Sequence, residues 1–210
     1  MNFLNLGKIA GAVAITMGLA GCMDVTMDVA VQNETSGKLT TTMLMGADFY
    51  AMAKAGAAQA AGTEGASAGD GFCVEPGDVL TENADGSATC TTIKEGTFAE
   101  LTAGEDGQAA SNDEARFEVI SPGVVKVTFP TGDMTGELTS EAQDAQTKAM
   151  MQALFEGKTV TLRVSGKEII DTNMTKAADG ASAEVVIPFL DLLNGTSTLP
   201  AELYATVKTN

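Results

Sequence analysis

The chain has 210 residues, 28 acidic and 12 basic, with no histidine and a formal net charge of −16 at pH 7. Nucleic-acid binding needs basic surface to displace counterions, so this charge argues against a nucleic-acid partner. The absence of histidine removes the commonest general base and zinc ligand, and excludes Ser-His, Cys-His and His-metal chemistry. Since no catalytic motif is found elsewhere, we expect a protein that is not an enzyme and uses no metal or cofactor.

The first 21 residues have the pattern of an export signal. Lys8 places one positive charge before residues 9–18, an apolar stretch without any charge. A transmembrane helix needs about 20 apolar residues, so this stretch is too short to span a bilayer. Its length is typical of the apolar region of a secretory signal. We therefore expect residues 1–21 to be removed and residues 22–210 to form a single extracytoplasmic domain.

The signal ends in Leu19-Ala20-Gly21-Cys22. This tetrapeptide resembles the lipobox of bacterial lipoproteins, in which the cysteine thiol is acylated and the chain is cut just before it. The resemblance implies that Cys22 is the lipid attachment site, and that acyl chains such as palmitate hold the protein on a membrane. The alternative is an ordinary signal cleavage beside an incidental cysteine.

The residues after Cys22 bear on where the protein resides. In Gram-negative lipoproteins an Asp directly after the lipidated Cys retains the protein in the inner membrane. Met23 in that place favours the outer membrane, on its periplasmic side, whereas Asp24 one position later argues the other way. Only Met23 separates Cys22 from the first predicted strand, and an extended residue spans at most about 3.5 Å. We therefore expect the folded domain to lie against the membrane surface.

The predicted elements follow in chain order. Residues 24–32 and 39–45 alternate between apolar and polar side chains, which predicts a β-hairpin. A helix is predicted at 47–61, a flexible loop at 62–71 and a strand at 87–94. A second hairpin is predicted at 116–120 and 124–129, and a helix follows from a capping box at Ser140 and Gln143 to Gly157. Strands at 160–164, 168–175, 183–188 and 203–208 end the chain, and Asp179-Gly180 is strong hairpin punctuation.

These elements predict an α+β fold in which antiparallel β-hairpins form one sheet of seven to nine strands, covered by two helices. With Cys22 acylated, Cys73 and Cys90 remain as a pair in an oxidising compartment, where disulfides persist. Their bond would stabilise the fold by about 3 kcal/mol. The two residues do not lie opposite each other across the Asp85-Gly86 turn, so the disulfide is predicted to tie a loop to a strand.

Acidic groups and methionines are the remaining candidates for a site. Residues 83–86 and 112–114 loosely suggest calcium ligands, but the ligand spacing of an EF-hand is absent, and we interpret both as solvated loops. Glu141 and Asp144 lie in the first turn of the predicted helix, where acidic side chains suit the helix dipole. Methionines could line a site for varied apolar ligands. Core filling is the better interpretation, because most are at inward positions, including Met43, Met45, Met150 and Met151.

Three stretches resemble the LppM domain of bacterial envelope lipoproteins. They are residues 24–61 after the lipobox, residues 91–98 leading through Glu100-Leu101 to the hairpin at Phe117, and residues 160–207. The acidic charge and the Cys73–Cys90 pair depart from what that family would show. The resemblance implies envelope lipid or glycolipid binding, and hence an apolar cavity.

Two functions remain open, besides the enzyme that we do not expect. The first is a membrane-anchored domain that binds a lipid or another apolar envelope ligand at the membrane surface, which predicts a closed cavity. The second is a structural or assembly partner of another envelope protein, which predicts a filled core and an exposed sheet edge or patch.

Overall fold

The computed structural model describes residues 23–60, 72–73, 77–102, 115–131, 152 and 155–209. Within that part of the chain β structure predominates. The strands are β1 (Met23–Val31), β2 (Ser36–Met45), β3 (Val79–Glu82), β4 (Ala88–Thr97), β5 (Arg116–Ser121), β6 (Val124–Pro130), β7 (Thr159–Ser165), β8 (Glu168–Thr172), β9 (Thr175–Lys176), β10 (Ser182–Pro188) and β11 (Glu202–Lys208). The helices are α1 (Ala47–Ala60), α2 (Phe98–Leu101) and α3 (Phe189–Leu193).

The strands form two sheets. The larger sheet has the order β3-β4-β2-β1-β7-β10-β9, and the smaller one has the order β5-β6-β11-β8. Neighbouring strands are antiparallel except for β1 and β7, which run parallel. Hairpins join β1 to β2, β3 to β4 and β5 to β6, as local antiparallel pairing permits. The parallel pair β1–β7 joins strands that are far apart in sequence, and it places β1 in the interior of the large sheet.

The inner face of β1, β7 and β10 packs against the inner face of the smaller sheet. Alternation along each strand sends every second side chain inward, as in β6, where Val125, Val127 and Phe129 are buried between half-buried neighbours. We call the packed side chains the inter-sheet cluster. Its buried members are Val29, Val31, Val125, Val127, Phe129, Phe155, Leu162, Val164, Ile169, Met174, Ala183, Ile187, Phe189, Leu192, Leu203, Ala205 and Val207.

A second, smaller cluster lies on the same face of the large sheet, toward the end where β1 begins, beneath helix α1. We call it the α1 cluster. Its buried members are Met23, Met45, Tyr50, Phe72, Ala88 and Cys90. Helix α1 covers the inner face of the sheet here, where the smaller sheet does not.

The predicted α+β class holds only in its coarse form, because the helices are minor and the β structure is larger than expected. The described residues form eleven strands rather than seven to nine, and they form two sheets rather than one. Of the two predicted helices, the one at 47–61 is confirmed as α1. Most of the predicted helix at 140–157, with its capping box, lies outside the described residues. A second sheet, instead of a pair of helices, therefore covers much of the inner face.

The predicted hairpin around Asp179-Gly180 is partly wrong. Gly180 does form a turn, with a positive φ of 72°, but only the two-residue strand β9 pairs with β10 across it. The predicted strand 168–175 divides, and β8 crosses to the smaller sheet, where it pairs with β11. The crossing needs a glycine, since a Cβ atom on Gly166 would lie 2.3 Å from Val207 Cγ1. Burial of Ile169 against β11 outweighs the local pairing that the turn favours.

Candidate functional site

The strand register shows which groups share the end of the sheet where β1 begins. Met23 pairs with Met45, Met45 pairs with Ala88, and Ala88 pairs with Glu82. One row therefore crosses four strands from β1 to the edge strand β3. We call this end of the large sheet the Met23 end.

A shallow surface depression of about 390 Å³ lies at the Met23 end, between α1 and the β3–β4 turn. Its lining residues are Tyr50, Ala51, Lys54, Glu82, Asn83 and Gly86. Helix α1 reaches this place because it begins at Ala47, two residues after β2 ends. Gly86 in the β3–β4 turn allows close approach, since a Cβ atom there would lie 3.3 Å from the Cβ of Ala47.

Three polar side chains meet at this depression. The Tyr50 hydroxyl and the Lys54 ammonium each donate a hydrogen bond of 2.7 Å to the same oxygen, Glu82 Oε1. Lys54 Nζ also lies 5.3 Å from the centre of the Tyr50 ring. The hydrogen bonds from Lys54 and then Tyr50 lower the pKa of Glu82. The hydrogen bond to Glu82 raises the pKa of Tyr50 and the pKa of Lys54.

The direction of the Glu82 pKa shift does not favour this group as a general base. A general base works best with a pKa near the working pH, whereas the pKa of Glu82 is shifted downward, away from neutrality. Lys54 and Glu82 balance each other in charge, so the depression has a polar but electrically neutral rim. Beside it, Met52 on the outer face of α1 is 61% exposed. The arrangement suits a ligand with an apolar part and an uncharged or zwitterionic polar part.

The disulfide predicted between Cys73 and Cys90 is present, with an S–S distance of 2.04 Å and a Cα–Cα distance of 5.5 Å. It ties a short segment to strand β4, as the sequence predicts, and holds Phe72 in the α1 cluster. The Phe72 and Tyr50 rings are tilted against each other with centroids 6.2 Å apart. Asp78 lies close enough to the two sulfur atoms to resemble a metal ligand set. Both sulfur atoms are used in the disulfide, so neither is available as the thiolate ligand that such a site would need.

A second depression, of about 260 Å³, lies between α2 and the start of β5. The rings of Phe98 and Phe117 stack there with centroids 4.3 Å apart. Helix α2 begins at a capping box, in which Thr97 Oγ1 accepts a hydrogen bond from the Glu100 amide and the Glu100 carboxylate accepts one from the Thr97 amide. Thr97 pairs with Ser36, at the start of β2, so this depression lies at the opposite end of the large sheet from Met23.

The other residues singled out in the sequence have structural places. Asp85 Oδ1 accepts hydrogen bonds from the amide and hydroxyl of Ser87, and Asn83 Nδ2 donates to the hydroxyls of Ser87 and Thr89. These contacts organise a turn, in agreement with the loop interpretation of residues 83–86. Cys22, residues 112–114, Glu141, Asp144, Met150 and Met151 lie outside the described residues.

The methionines confirm core filling where they are described, with one exception. Met45 is buried in the α1 cluster and Met43 packs against it. Met52 is the exception, because it lies on the outer face of α1 and is exposed. In the described part of the chain, the space between the sheets is occupied by side chains and the two depressions above are open at the surface.

Sequence reasoning missed the Tyr50–Lys54–Glu82 group. The four-residue spacing of Tyr50 and Lys54 on a predicted helix was a usable signal, because such residues share one helix face. Glu82 is 28 residues beyond Lys54, and no local pattern links the two. The capping box at Thr97 had a clear signal, Thr-x-x-Glu, and could have been found.

Comparison with protein-family models and with curated protein sequences gives no match. Among solved structures, the chain is similar to the folded domain of the Mycobacterium tuberculosis LppM protein, determined by NMR. The match covers 97% of this chain and 94% of that chain, with 12% sequence identity and a TM-score of 0.43. This structural neighbour carries the name of the family that the sequence resembles. A TM-score this low carries no argument about function.

The described residues also bear on membrane spanning. Among them, no helix is both long enough and apolar enough to cross a bilayer.

Proposed function

We propose that this chain is a cell-envelope lipoprotein, anchored by lipid on Cys22, and that its domain is not an enzyme. In this proposal the domain binds a lipid or another apolar envelope ligand at the membrane surface, in the depression between α1 and the β3–β4 turn. In a Gram-negative cell, Met23 after the anchor favours the periplasmic side of the outer membrane.

The observation that carries the proposal is the start of β1 at Met23. Met23 is 7% exposed and belongs to the α1 cluster, and β1 is hydrogen-bonded on both sides, to β2 and β7. Asp24 also fixes the start of β1 to the start of β7. Its carboxylate accepts a hydrogen bond of 2.9 Å from the Thr159 amide and lies 3.3 Å from Lys158 Nζ. A lipid on Cys22 would therefore join the folded domain directly, without a flexible stalk.

The strand register places the depression at the same end of the domain. Glu82 belongs to the row that begins with Met23, and α1 starts two residues after Met45, the β2 residue in that row. A ligand from the membrane would reach this depression without crossing the domain. The depression at α2 lies at the other end of the large sheet, so it serves as a control site that the membrane ligand should not occupy.

The anchor is tested by fractionating cells that express the full chain or its Cys22→Ser variant. We expect the unaltered protein to incorporate radiolabelled palmitate and to sediment with membranes. The variant should lose the label and should no longer be processed at the lipobox. Labelling that persists in the variant would contradict the anchor.

Ligand binding is tested with two matched substitutions, Ala51→Trp and Ala99→Trp. Both alanines are exposed, lie on helices and line one depression each, Ala51 at the Met23 end and Ala99 at α2. Lipid extraction and native mass spectrometry of the purified lipoprotein should detect a bound ligand that Ala51→Trp displaces and Ala99→Trp retains. The chain has no tryptophan, so each new indole also reports on its own depression by fluorescence. Equal ligand content in both variants would argue against the site.

The filled space between the sheets favours a second candidate, an assembly partner of another envelope protein. The inter-sheet cluster consists of side chains with 8% exposure or less, and the enclosed cavity expected for the first function is not among the two depressions. This candidate predicts a protein without bound lipid and a specific crosslinked partner. Native mass spectrometry of the same preparation separates the two functions.

A further inference from the structure

Helix α1 has fewer charged residues than an ordinary surface helix. Its sequence, ADFYAMAKAGAAQA, has only two charged residues in 14, Asp48 and Lys54. A surface helix of a globular protein usually carries charged and polar residues opposite its apolar stripe. An apolar character all round is typical of a helix that is covered on both faces.

The two faces of α1 can be told apart by burial. Tyr50 belongs to the α1 cluster, and Phe49 and Ala53 pack against it. On the other face Asp48, Ala51, Met52 and Ala55 are exposed, and Asp48 lies one turn before Met52. Met52 is the most exposed large hydrophobic residue in the described part of the chain. Burying a long apolar side chain of this kind is favourable, so this face would gain from an apolar partner.

The position of α1 indicates what that partner is. The helix lies at the Met23 end, where the chain leaves Cys22 without any intervening linker. Leu80, on the neighbouring edge strand β3, is also exposed, and because it pairs with Cys90 it lies on the sheet face that α1 covers. The charges of Asp48 and Lys54 cancel, so α1 does not share the acidic excess that anionic headgroups would repel from a chain of net charge −16.

We propose that the outer face of α1 rests on the lipid bilayer, with Met52 inserted at the level of the headgroups. This inference rests on the proposed anchor at Cys22 and adds an orientation to it, with the Met23 end toward the membrane and the α2 end away from it. The physical model is a helix that lies in the plane of the membrane interface with its apolar side chains at the headgroup–acyl boundary. Here the anchoring lipid supplies the membrane affinity and α1 sets the orientation of the domain.

The test uses two single-cysteine variants, Met52→Cys and Ile120→Cys, in the full lipidated protein. Acylation of Cys22 and the Cys73–Cys90 disulfide leave the introduced cysteine as the free thiol. Ile120 is a matched control because it is 52% exposed and lies beside the β5–β6 turn. In that turn the Gly123 amide donates a hydrogen bond to Glu34, which lies beyond the far end of β1 from Met23. Each thiol is labelled with an environment-sensitive fluorophore, and the protein is reconstituted into phosphatidylethanolamine–phosphatidylglycerol vesicles with or without nitroxide-labelled lipid.

We expect the protein to float with the vesicles. The nitroxide-labelled lipid should quench most of the fluorescence of the probe at position 52 and little of that at position 120. Floated protein with an unquenched probe at position 52 would overturn the inference while leaving the anchor intact. In that case, quenching by aqueous iodide shows what lies on α1. Strong quenching of the probe at position 52 means that it faces water, and weak quenching means that another protein segment or a second copy of the chain covers it. Protein that does not float would overturn both the anchor and the orientation.

Discussion

The inter-sheet cluster and the α1 cluster stabilise their parts of the molecule in different ways. The inter-sheet cluster joins mostly aliphatic side chains, with three phenylalanines and Met174, and its described members outnumber those of the α1 cluster by seventeen to six. The α1 cluster is built from two methionines, two aromatic side chains, one alanine and one cysteine under one helix. It contains the disulfide between Cys73 and Cys90, whereas the inter-sheet cluster contains no cysteine.

Because of this difference, we expect the two clusters to differ in local stability. A large cluster of interdigitated side chains supports a cooperative unit, whereas a small one opens more easily and gains more from a covalent staple. Binding surfaces are commonly found in the less stable part of a protein. The proposed ligand site and the proposed membrane-facing helix both lie on the α1 cluster, the smaller of the two.

The largest expected effect comes from truncating one side chain in each cluster. Leu203 and Met45 are both 2% exposed, and Leu→Ala or Met→Ala in a core costs about 2–5 kcal/mol. Leu203→Ala should lower the free energy of unfolding throughout the domain, because it weakens the cluster that joins the two sheets. Met45→Ala should act mainly on α1, β3 and β4. Hydrogen exchange measures both, and identical exchange patterns in the two variants would remove the distinction between the clusters.

Opening the Cys73–Cys90 disulfide should have a somewhat smaller and local effect. Loss of a bond that closes a loop of this size costs about 3 kcal/mol by the chain-entropy estimate. The Cys73→Ser/Cys90→Ala double variant should lose amide protection in α1 and β3 and keep it in β6 and β11. Thermal unfolding of the unaltered protein under reducing conditions provides the control for the substitutions themselves. An unchanged unfolding temperature in both experiments would show that the stability of the α1 cluster does not depend on the Cys73–Cys90 disulfide.

At the opposite end of the large sheet, removing the cap of α2 should cost about 1 kcal/mol. Thr97→Ala deletes the hydroxyl that accepts a hydrogen bond from the Glu100 amide. Thr97→Ser keeps that hydroxyl and should retain most of the stability. The midpoint of urea unfolding measures the difference, and ligand content at the Met23 end should be the same in both variants. A change in ligand binding would mean that the two ends are coupled.

The smallest effect is expected from pH at the Tyr50–Lys54–Glu82 group. The pKa of Glu82 is lower in the folded chain than its ordinary value of 4.5, so Glu82 stabilises the fold above that value. This contribution should disappear as the pH falls through the lowered pKa. It should also weaken with added salt, because the side chains of Lys54 and Glu82 are both more than half exposed. Thermal unfolding between pH 2 and 7 should show a smaller acid loss for Glu82→Gln, and an unchanged acid profile would contradict the role of Glu82.

Local structure was largely readable from the sequence. The hairpin of β1 and β2, helix α1, strand β4, the hairpin of β5 and β6, and strand β11 lie where alternation and turn residues predict them. The pairing of Cys73 with Cys90 followed from the cysteine count and the expected compartment, and the structure confirms it. The candidate site was not predicted, because Glu82 meets Tyr50 and Lys54 only after β3 has paired with β4.

What the sequence by itself determined was the set of strands and their inward faces, since side-chain alternation and turn chemistry depend on residues close together in the chain. The export signal and the lipid attachment at Cys22 also follow from residues that are close together in the sequence, and they remain predictions. The tertiary structure alone decided how the strands divide into two sheets. The parallel pairing of β1 with β7 and the crossing of β8 join residues more than 30 positions apart, and their energy comes from burial between sheets rather than from local preference. That division leaves α1, and not the smaller sheet, over the Met23 end of the large sheet, and the proposed function depends on this placement.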